Sequence, residues 1–162
     1  MGDRDMVVGN PIEHSKSPQI HTLFAEQTGE ELSYTKLKVE HGTFVTVVNQ
    51  FQQAGGRGLN VTVPYKHEAW EAADERSPRA ELAGAVNTIE LREDGSRFGD
   101  NTDGVGLLQD LTKNNHLDIK EKKVLVLGAG GAVRGVLEPL LAERPLQLTI
   151  ANRTAARAEA LA

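Results

Sequence analysis

KVLVLGAGGAVRG, residues 123–135, is the stretch that decides the fold. Lys123 to Leu127 have strand character and run directly into Gly128, Gly130 and Gly131, after which an apolar helical pattern continues to about Glu143. Gln147 to Ala151 read as a second strand, so the segment predicts a β-α-β unit with the usual right-handed crossover, its helix kinked at Pro139. The continuous apolar run of the first strand predicts burial on both faces. Glycines at the strand-to-helix turn let the backbone approach a pyrophosphate, whose charge the helix start favours. A turn that merely connects strand to helix is the plainer alternative. Val133 stands where a third small residue would ease helix packing, so the turn alone supports a dinucleotide or a related nucleotide.

The second strand narrows this. It ends in Asn152-Arg153-Thr154, with Arg157 following, where a site for NAD would place a carboxylate. Guanidinium groups can grip a 2′-phosphate with paired charge-assisted hydrogen bonds, which points to NADP rather than NAD. Solvated cations at a helix start are the other reading.

Working outward, the remainder is also α/β. Met6 to Val8 read as a strand ended by Gly9-Asn10-Pro11, and Ser17-Pro18 as the cap and first position of a helix with Ile20, Leu23 and Phe24 on its apolar stripe. Leu32 to Val39 look extended, and Phe44, Val47, Val48 and Phe51 fit one helix face that Gly55 and Gly56 end. In Leu59 to Val63 the apolar residues alternate with Asn60 and Thr62, a strand with both polar side chains on one face, stopped by Pro64. Helices are expected from His67 to about Ala73 and from Pro78 to Ala83. A hairpin around Asp94-Gly95 and a helix from Gly104 to Leu111 follow.

Composition bounds the function. With 39% hydrophobic residues in 162, the chain can bury a core, and its net charge of −5 with interspersed signs argues against a nucleic-acid partner. There is no cysteine, hence no disulfide and no thiolate chemistry. The first residues carry Asp3, Arg4 and Asp5 rather than a leader's apolar stretch, and no later segment approaches membrane-spanning length. A cytoplasmic protein with no membrane partner is expected. His14, His21, His41, His67 and His116 lack a compact ligand pattern, so no metal is expected.

Two further stretches carry candidate chemistry. In Gly9 to Pro18 the hydroxyls of Ser15 and Ser17 precede a helix start and can hold a carboxylate, or serve only as a loop residue and a cap. The other is split between Asn60 to Lys66, Gly84 to Thr88 and Gly99 to Gly104, where Lys66 and Asp103 would make a proton-transfer pair if they meet. Turn chemistry and surface charge are the plainer readings of each.

Taken together, GNPIEHSKSP, NVTVPYK, AGAVNT, GDNTDG, GAGGAVRG and ANRT, in this order from Gly9 to Thr154, resemble the shikimate dehydrogenases. The resemblance implies an N-terminal α/β substrate-binding domain, residues 1–104, followed by a linking helix and the first β-α-β part of an incomplete Rossmann-like NADP-binding domain, residues 105–162. It implies reversible NADPH-dependent reduction of 3-dehydroshikimate to shikimate, a step of aromatic amino-acid (chorismate) biosynthesis. Ser15 and Ser17 would hold the substrate carboxylate, Thr62, Asn87 and Asp103 the ring hydroxyls, and Lys66 would exchange the proton at the reacting oxygen with Asp103 as its partner. Gly128, Gly130, Gly131 and Ala132 would face the pyrophosphate, and Asn152, Arg153, Thr154 and Arg157 the 2′-phosphate. Members of the family continue beyond Ala162, so the chain is expected to be a fragment with an uncovered sheet face that favours self-association. A non-catalytic shikimate- or NADP-binding fragment and a shikimate/quinate dehydrogenase are the alternatives.

Overall fold

The computed structural model describes residues 2–162 and divides into two compact units. Residues 1–77 with 86–100 form the first, and residues 78–85 with 101–162 the second.

The first unit is built on a six-stranded sheet. Its strands are β1 (Asp3–Gly9), β2 (Leu32–Lys38), β3 (Gly58–Val61), β4 (Glu75–Arg76), β5 (Thr88–Leu91) and β6 (Arg97–Asp100), in the order β2-β1-β3-β5-β6-β4. β2, β1 and β3 are mutually parallel, β5 runs against both neighbours, and β4 lies parallel to β6. From β1 the chain crosses through helix α1 (Ser17–Thr28) to one side, and from β2 through α2 (Phe44–Gln53) back past β1 to the other. Right-handed crossovers that run in opposite directions along the sheet put these two helices on opposite faces. Both faces therefore have cover, and Val7, Tyr34, Phe44, Val48, Leu59, Val61 and Ile89 are all buried. Helix α3 (Lys66–Ala72) completes the unit.

Three expectations shift here, the first being the apolar stripe of α1, since Ile20, Leu23 and Phe24 are 44%, 57% and 55% exposed and Ala25 is the buried residue of that helix. Ser17 is the first helical residue rather than the cap: Lys16 occupies that position and no side chain caps the helix there. The Ser15 hydroxyl instead accepts the Ser17 amide at 3.3 Å. The third strand stops at Val61, and Val63, expected inside it, is 58% exposed beside the cis peptide to Pro64. The two-residue β4 carries no periodic signal in sequence and forms only because β6 is there to pair with it.

The second unit holds α4 (Pro78–Ala83), α5 (Asp103–Gln109), a π-helical turn (Asp110–Asn114), β7 (Lys123–Leu127), α6 (Gly131–Ala142), β8 (Gln147–Ala151) and α7 (Ala155–Glu159). The helix expected to run to Leu111 thus gives way to the π-turn, with the Asn115 amide reaching back to the Asp110 carbonyl at 2.9 Å. β7 and β8 pair in parallel through the single crossover α6, inside which Pro139 lies. One crossover helix covers one face, so β7 is not buried on both: Leu125 is 61% and Leu127 77% exposed. Among the described residues no helix is long and apolar enough to cross a membrane.

Candidate functional site

In the first unit three of the sequence motifs meet at the carboxyl ends of β1 and β3, the edge where open α/β sheets hold ligands. Backbone bonds knit them together. The Asn10 amide donates to the Val63 carbonyl at 3.0 Å and the Thr62 amide to the Val8 carbonyl at 3.0 Å, which joins the serine loop to the NVTVPYK stretch. The Val61 amide donates to the Asn87 carbonyl and the Val86 amide to the Lys66 carbonyl, each at 2.8 Å, which joins that stretch to AGAVNT. A third support comes from Val39, whose carbonyl accepts Asn10 Nδ2 at 3.0 Å and the hydroxyl of the fully buried Tyr65 at 2.7 Å. Close approach requires glycine at position 9, where a Cβ would lie 2.5 Å from the Thr62 methyl carbon.

This frame gathers five of the predicted residues. Ser15 and Ser17 are half-buried, their hydroxyls 3.2 Å apart at the start of α1. Half-buried Thr62 follows β3, Lys66 opens α3, and Asn87 precedes β5, with its own amide donating to the Asp100 carbonyl at 3.0 Å. Asp103 is the first residue of α5 and belongs to the second unit.

The frame also brings into line three residues to which the sequence reading gave no site role. The Tyr34 hydroxyl donates to Asn60 Oδ1 at 2.6 Å, Asn60 Nδ2 to Thr88 Oγ1 at 3.2 Å, and the Thr88 hydroxyl to Asn87 Oδ1 at 3.0 Å. The alternation of Asn60 with buried Leu59 and Val61 was the available signal for the middle member; Tyr34 had none, because its partner lies on a strand that only the fold brings near. Tyr34 is stacked on His21, ring centroids 4.1 Å apart and 7° from parallel. Burial drives the Tyr34 phenol well above its ordinary pKa, the Asp5 carboxylate adds to this, and a hydrogen bond from Ser17 opposes it. His21 is lowered by burial against the pull of Asp5. The Asp5 carboxyl is itself raised, by burial and then by Asp3, although the Gly58 amide and His21 act the other way.

The second unit shows how Asp103 and the glycine turn are held. Asn101, 2% exposed, donates through Nδ2 to the Ala85 carbonyl at 3.0 Å and accepts the Asp103 amide on Oδ1 at 3.1 Å. Its side chain fills the space beside Gly135, where a Cβ would come within 2.8 Å of Oδ1, while a Cβ on Gly104 would come within 2.5 Å of the Gly135 carbonyl. The small residue that eases helix packing is therefore Gly135, one half-turn beyond Val133, and it serves the α5–α6 contact.

Gly128 has φ +117°, which side-chain-bearing residues rarely adopt, and donates its amide to the Ala151 carbonyl at 2.8 Å. Gly130 and Gly131 differ from it: a Cβ on either would meet nothing within 4 Å. No side chain caps α6 at Gly130, and Gly131 and Ala132 are exposed. Open space over an uncapped, glycine-lined helix start suits a phosphate-bearing group. After β8, Asn152 Nδ2 donates to the Thr154 carbonyl at 2.8 Å, and Arg153, Thr154 and Arg157 are exposed. Among the described residues no group of three or more histidine and carboxylate side chains gathers as a metal site.

Two family models match this chain. Residues 7–89 match the shikimate dehydrogenase substrate binding domain, and residues 110–162 match shikimate / quinate 5-dehydrogenase. A shikimate dehydrogenase (NADP(+)) of Alkalilimnicola ehrlichii is 58% identical over 99% of this chain and 59% of its own length. The same enzyme of Methylococcus capsulatus is 60% identical over 98% of this chain and 57% of its own. Among solved structures, shikimate dehydrogenase from Aquifex aeolicus superposes with a TM-score of 0.92 at 33% identity, over 99% of this chain and 59% of that one. Shikimate 5-dehydrogenase from Thermus thermophilus, in complex with NADP(H) and shikimate, gives 0.89 at 37% identity over 98% and 59%. The chain thus spans a little under three fifths of the length of the curated relatives it matches.

Proposed function

Because this chain belongs to the shikimate dehydrogenase family, we propose that it carries the substrate-binding part and the opening β-α-β unit of an NADP-dependent shikimate dehydrogenase, a cytoplasmic enzyme of aromatic amino-acid biosynthesis. The observation that carries this reading is the knitting of the serine loop, NVTVPYK and AGAVNT into one frame at the sheet's carboxyl edge, because a scattered set of motifs could not hold one small molecule. Residues 1–104 supply substrate recognition and residues 105–162 begin the nucleotide site.

The roles follow from donor and acceptor chemistry. The Ser15 and Ser17 hydroxyls donate to the substrate carboxylate, and Thr62, Asn87 and Asp103 hold the ring hydroxyls. Lys66 gives a proton to the carbonyl oxygen as it becomes an alkoxide and takes it back in the reverse direction, with Asp103 orienting the exchange. NADPH, when bound, supplies the hydride that reduces the carbonyl carbon. Gly128, Gly130, Gly131 and Ala132 would receive its pyrophosphate, and Asn152, Arg153, Thr154 and Arg157 its 2′-phosphate. The open space over Gly130 and Gly131 and the exposed arginines support that assignment.

A second reading draws support from length: a chain spanning 59% of a relative can bind shikimate without turning it over. The match to a shikimate / quinate family model leaves quinate as a competing substrate, which competition between the two would separate. The exposed leucines of β7 support self-association.

Thermal unfolding of the 162-residue chain, with shikimate and NADP added separately, tests both sites. A ligand that binds only the native state stabilises it by about 2.7 kcal/mol at a hundred times its Kd. The expected result is a raised midpoint with shikimate that Lys66→Ala and Asp103→Ala each diminish. No shift from either ligand at high concentration overturns the reading, while a shift without NADP-dependent turnover selects the binding fragment.

A further inference from the structure

At the amino ends of β1 and β3, the edge of the first sheet opposite the candidate site, four segments bring arginines to one rim. Arg4 lies within β1, Arg57 just before β3, Arg92 just after β5 and Arg97 at the start of β6. Backbone bonds fix the rim: the Arg57 amide donates to the Arg4 carbonyl at 2.9 Å and the Leu91 amide to the Arg57 carbonyl at 2.8 Å. All four arginines line a cleft of about 720 Å³ that they share with the last turn of α2, with Asp3 and Glu93 as its carboxylates.

The four are not equivalent. Arg57 pairs with Glu93 at 2.7 Å, and Arg92 with Glu75 at 3.1 Å and Glu90 at 3.3 Å. Arg4 and Arg97 meet neutral oxygens instead. Arg4 Nη1 donates to the Ala54 carbonyl at 2.6 Å, while Arg97 donates through Nε to Gln52 Oε1 at 2.9 Å and through Nη2 to Asn49 Oδ1 at 2.5 Å. The Asp74 carboxylate takes the backbone amide of Arg97, at 2.8 Å, and makes no ion pair with its guanidinium. The Gln52 amide has one orientation, because its Nε2 faces the Gly95 carbonyl at 3.0 Å, which can only accept, and its oxygen faces Arg97, which can only donate.

These contacts hold two guanidinium groups in place without neutralising them, and each keeps N–H groups that its neighbours do not use. Capping the end of α2 accounts for one N–H of Arg4 and for none of Arg97. Guanidinium forks already ordered by their neighbours suit a phosphate, which accepts paired charge-assisted hydrogen bonds. The cleft's volume is that of a small-molecule site rather than of an anion alone, and Asn49 and Gln53 add amides that hydroxyl groups can meet.

We infer that this cleft binds a small hydroxylated phosphate ester, with Arg4 and Arg97 holding the phosphate. It is a second ligand site, and it stands whether or not the opposite edge binds shikimate.

The test titrates the 162-residue chain with glucose 6-phosphate, inorganic phosphate and glucose at fixed ionic strength, followed by backbone and arginine side-chain resonances. Saturable shifts are expected at Arg4, Asn49 and Arg97 with both phosphates and none with glucose, the ester binding more tightly than the free anion. Arg4→Gln and Arg97→Gln should each weaken the ester's Kd about tenfold, the loss of one charge-assisted contact. Equal affinity for the ester and inorganic phosphate would overturn the ester and leave an anion site. Shifts confined to Gly130 and Gly131 would put the phosphate at the glycine turn, and shifts that grow without saturating would be screening of surface charge; either result overturns the cleft as a site. Should a variant fail to fold, the pattern of shifts in the parent chain decides.

Discussion

The strand Gly58–Val61 and the strand Lys123–Leu127 are both parallel strands in β-α-β units, yet they end in different surroundings. Leu59 and Val61 are each 2% exposed, whereas Leu125 and Leu127 are 61% and 77% exposed. The difference lies in the layers. The first sheet is crossed in both directions, so helices cover both faces, and the second is crossed once. Alternation along a strand says which residues share a face; it takes the rest of the domain to decide whether that face is covered.

The largest break of this comparison is Leu59→Ala against Leu127→Ala. Truncating the buried leucine should cost about 2–5 kcal/mol in chemical denaturation, from lost transfer energy and the cavity left behind. Truncating the exposed one should stay within about 0.5 kcal/mol. Equal losses would mean that the open face of β7 is covered in solution.

A smaller effect is expected where the second unit is packed tightly. Gly135→Ala would set a methyl 2.8 Å from Oδ1 of Asn101, which is hydrogen-bonded to Ala85 and Asp103. Overpacking of this kind costs about 1–3 kcal/mol. Amide resonances of Asp103 and Gly104 should move with it, while those of Leu59 and Ile89 stay. A neutral Gly135→Ala would show that α5 and α6 can separate freely.

Much of this was legible in the residues. Glycine and proline punctuation with apolar periodicity located every helix of the first unit, the hairpin at Asp94-Gly95 and the β7-α6-β8 unit. The points missed share one cause, which is dependence on a partner distant in sequence. Tyr34 and Asn60 are 26 residues apart, Asn60 and Thr88 are 28, and β4 exists only against β6. Gly135, inside the GAGGAVRG motif, had no separate signal, because the side chain that needs its missing Cβ, Asn101, lies far from it in sequence. The Ser17 cap failed for a local reason: the helix starts one residue earlier, with Lys16 at the cap position, and the Ser17 amide is taken by the Ser15 hydroxyl.

Self-association sharpens the comparison without touching stability. If the Leu125 and Leu127 face pairs with a second copy, replacing both by lysine should turn a concentration-dependent sedimentation profile into that of a monomer and leave the unfolding midpoint at high dilution unchanged. A parent chain that is already monomeric at high concentration removes the proposal.

The smallest expected effect concerns what closure of the first sheet buries. Asp5 Oδ1 is buried with no hydrogen-bond partner among the described residues, and burial holds the Asp5 carboxyl above its ordinary pKa. The folded chain then binds that proton more tightly than the unfolded chain does. Its contribution to stability is full below the ordinary aspartate range and is lost as pH rises through the raised value. His21, lowered by burial, works oppositely: its contribution is present above the ordinary histidine value and is lost as pH falls through the lowered one. Asp5→Asn removes the first slope and, by removing the pull of Asp5 on His21, enlarges the second. The variant should therefore gain more in unfolding midpoint over the parent at pH 7 than at pH 4. A gain that is the same at both pH values, or larger at pH 4, would mean that the carboxyl is solvated in the native state and that the first sheet is less closed at β1 than its burial implies.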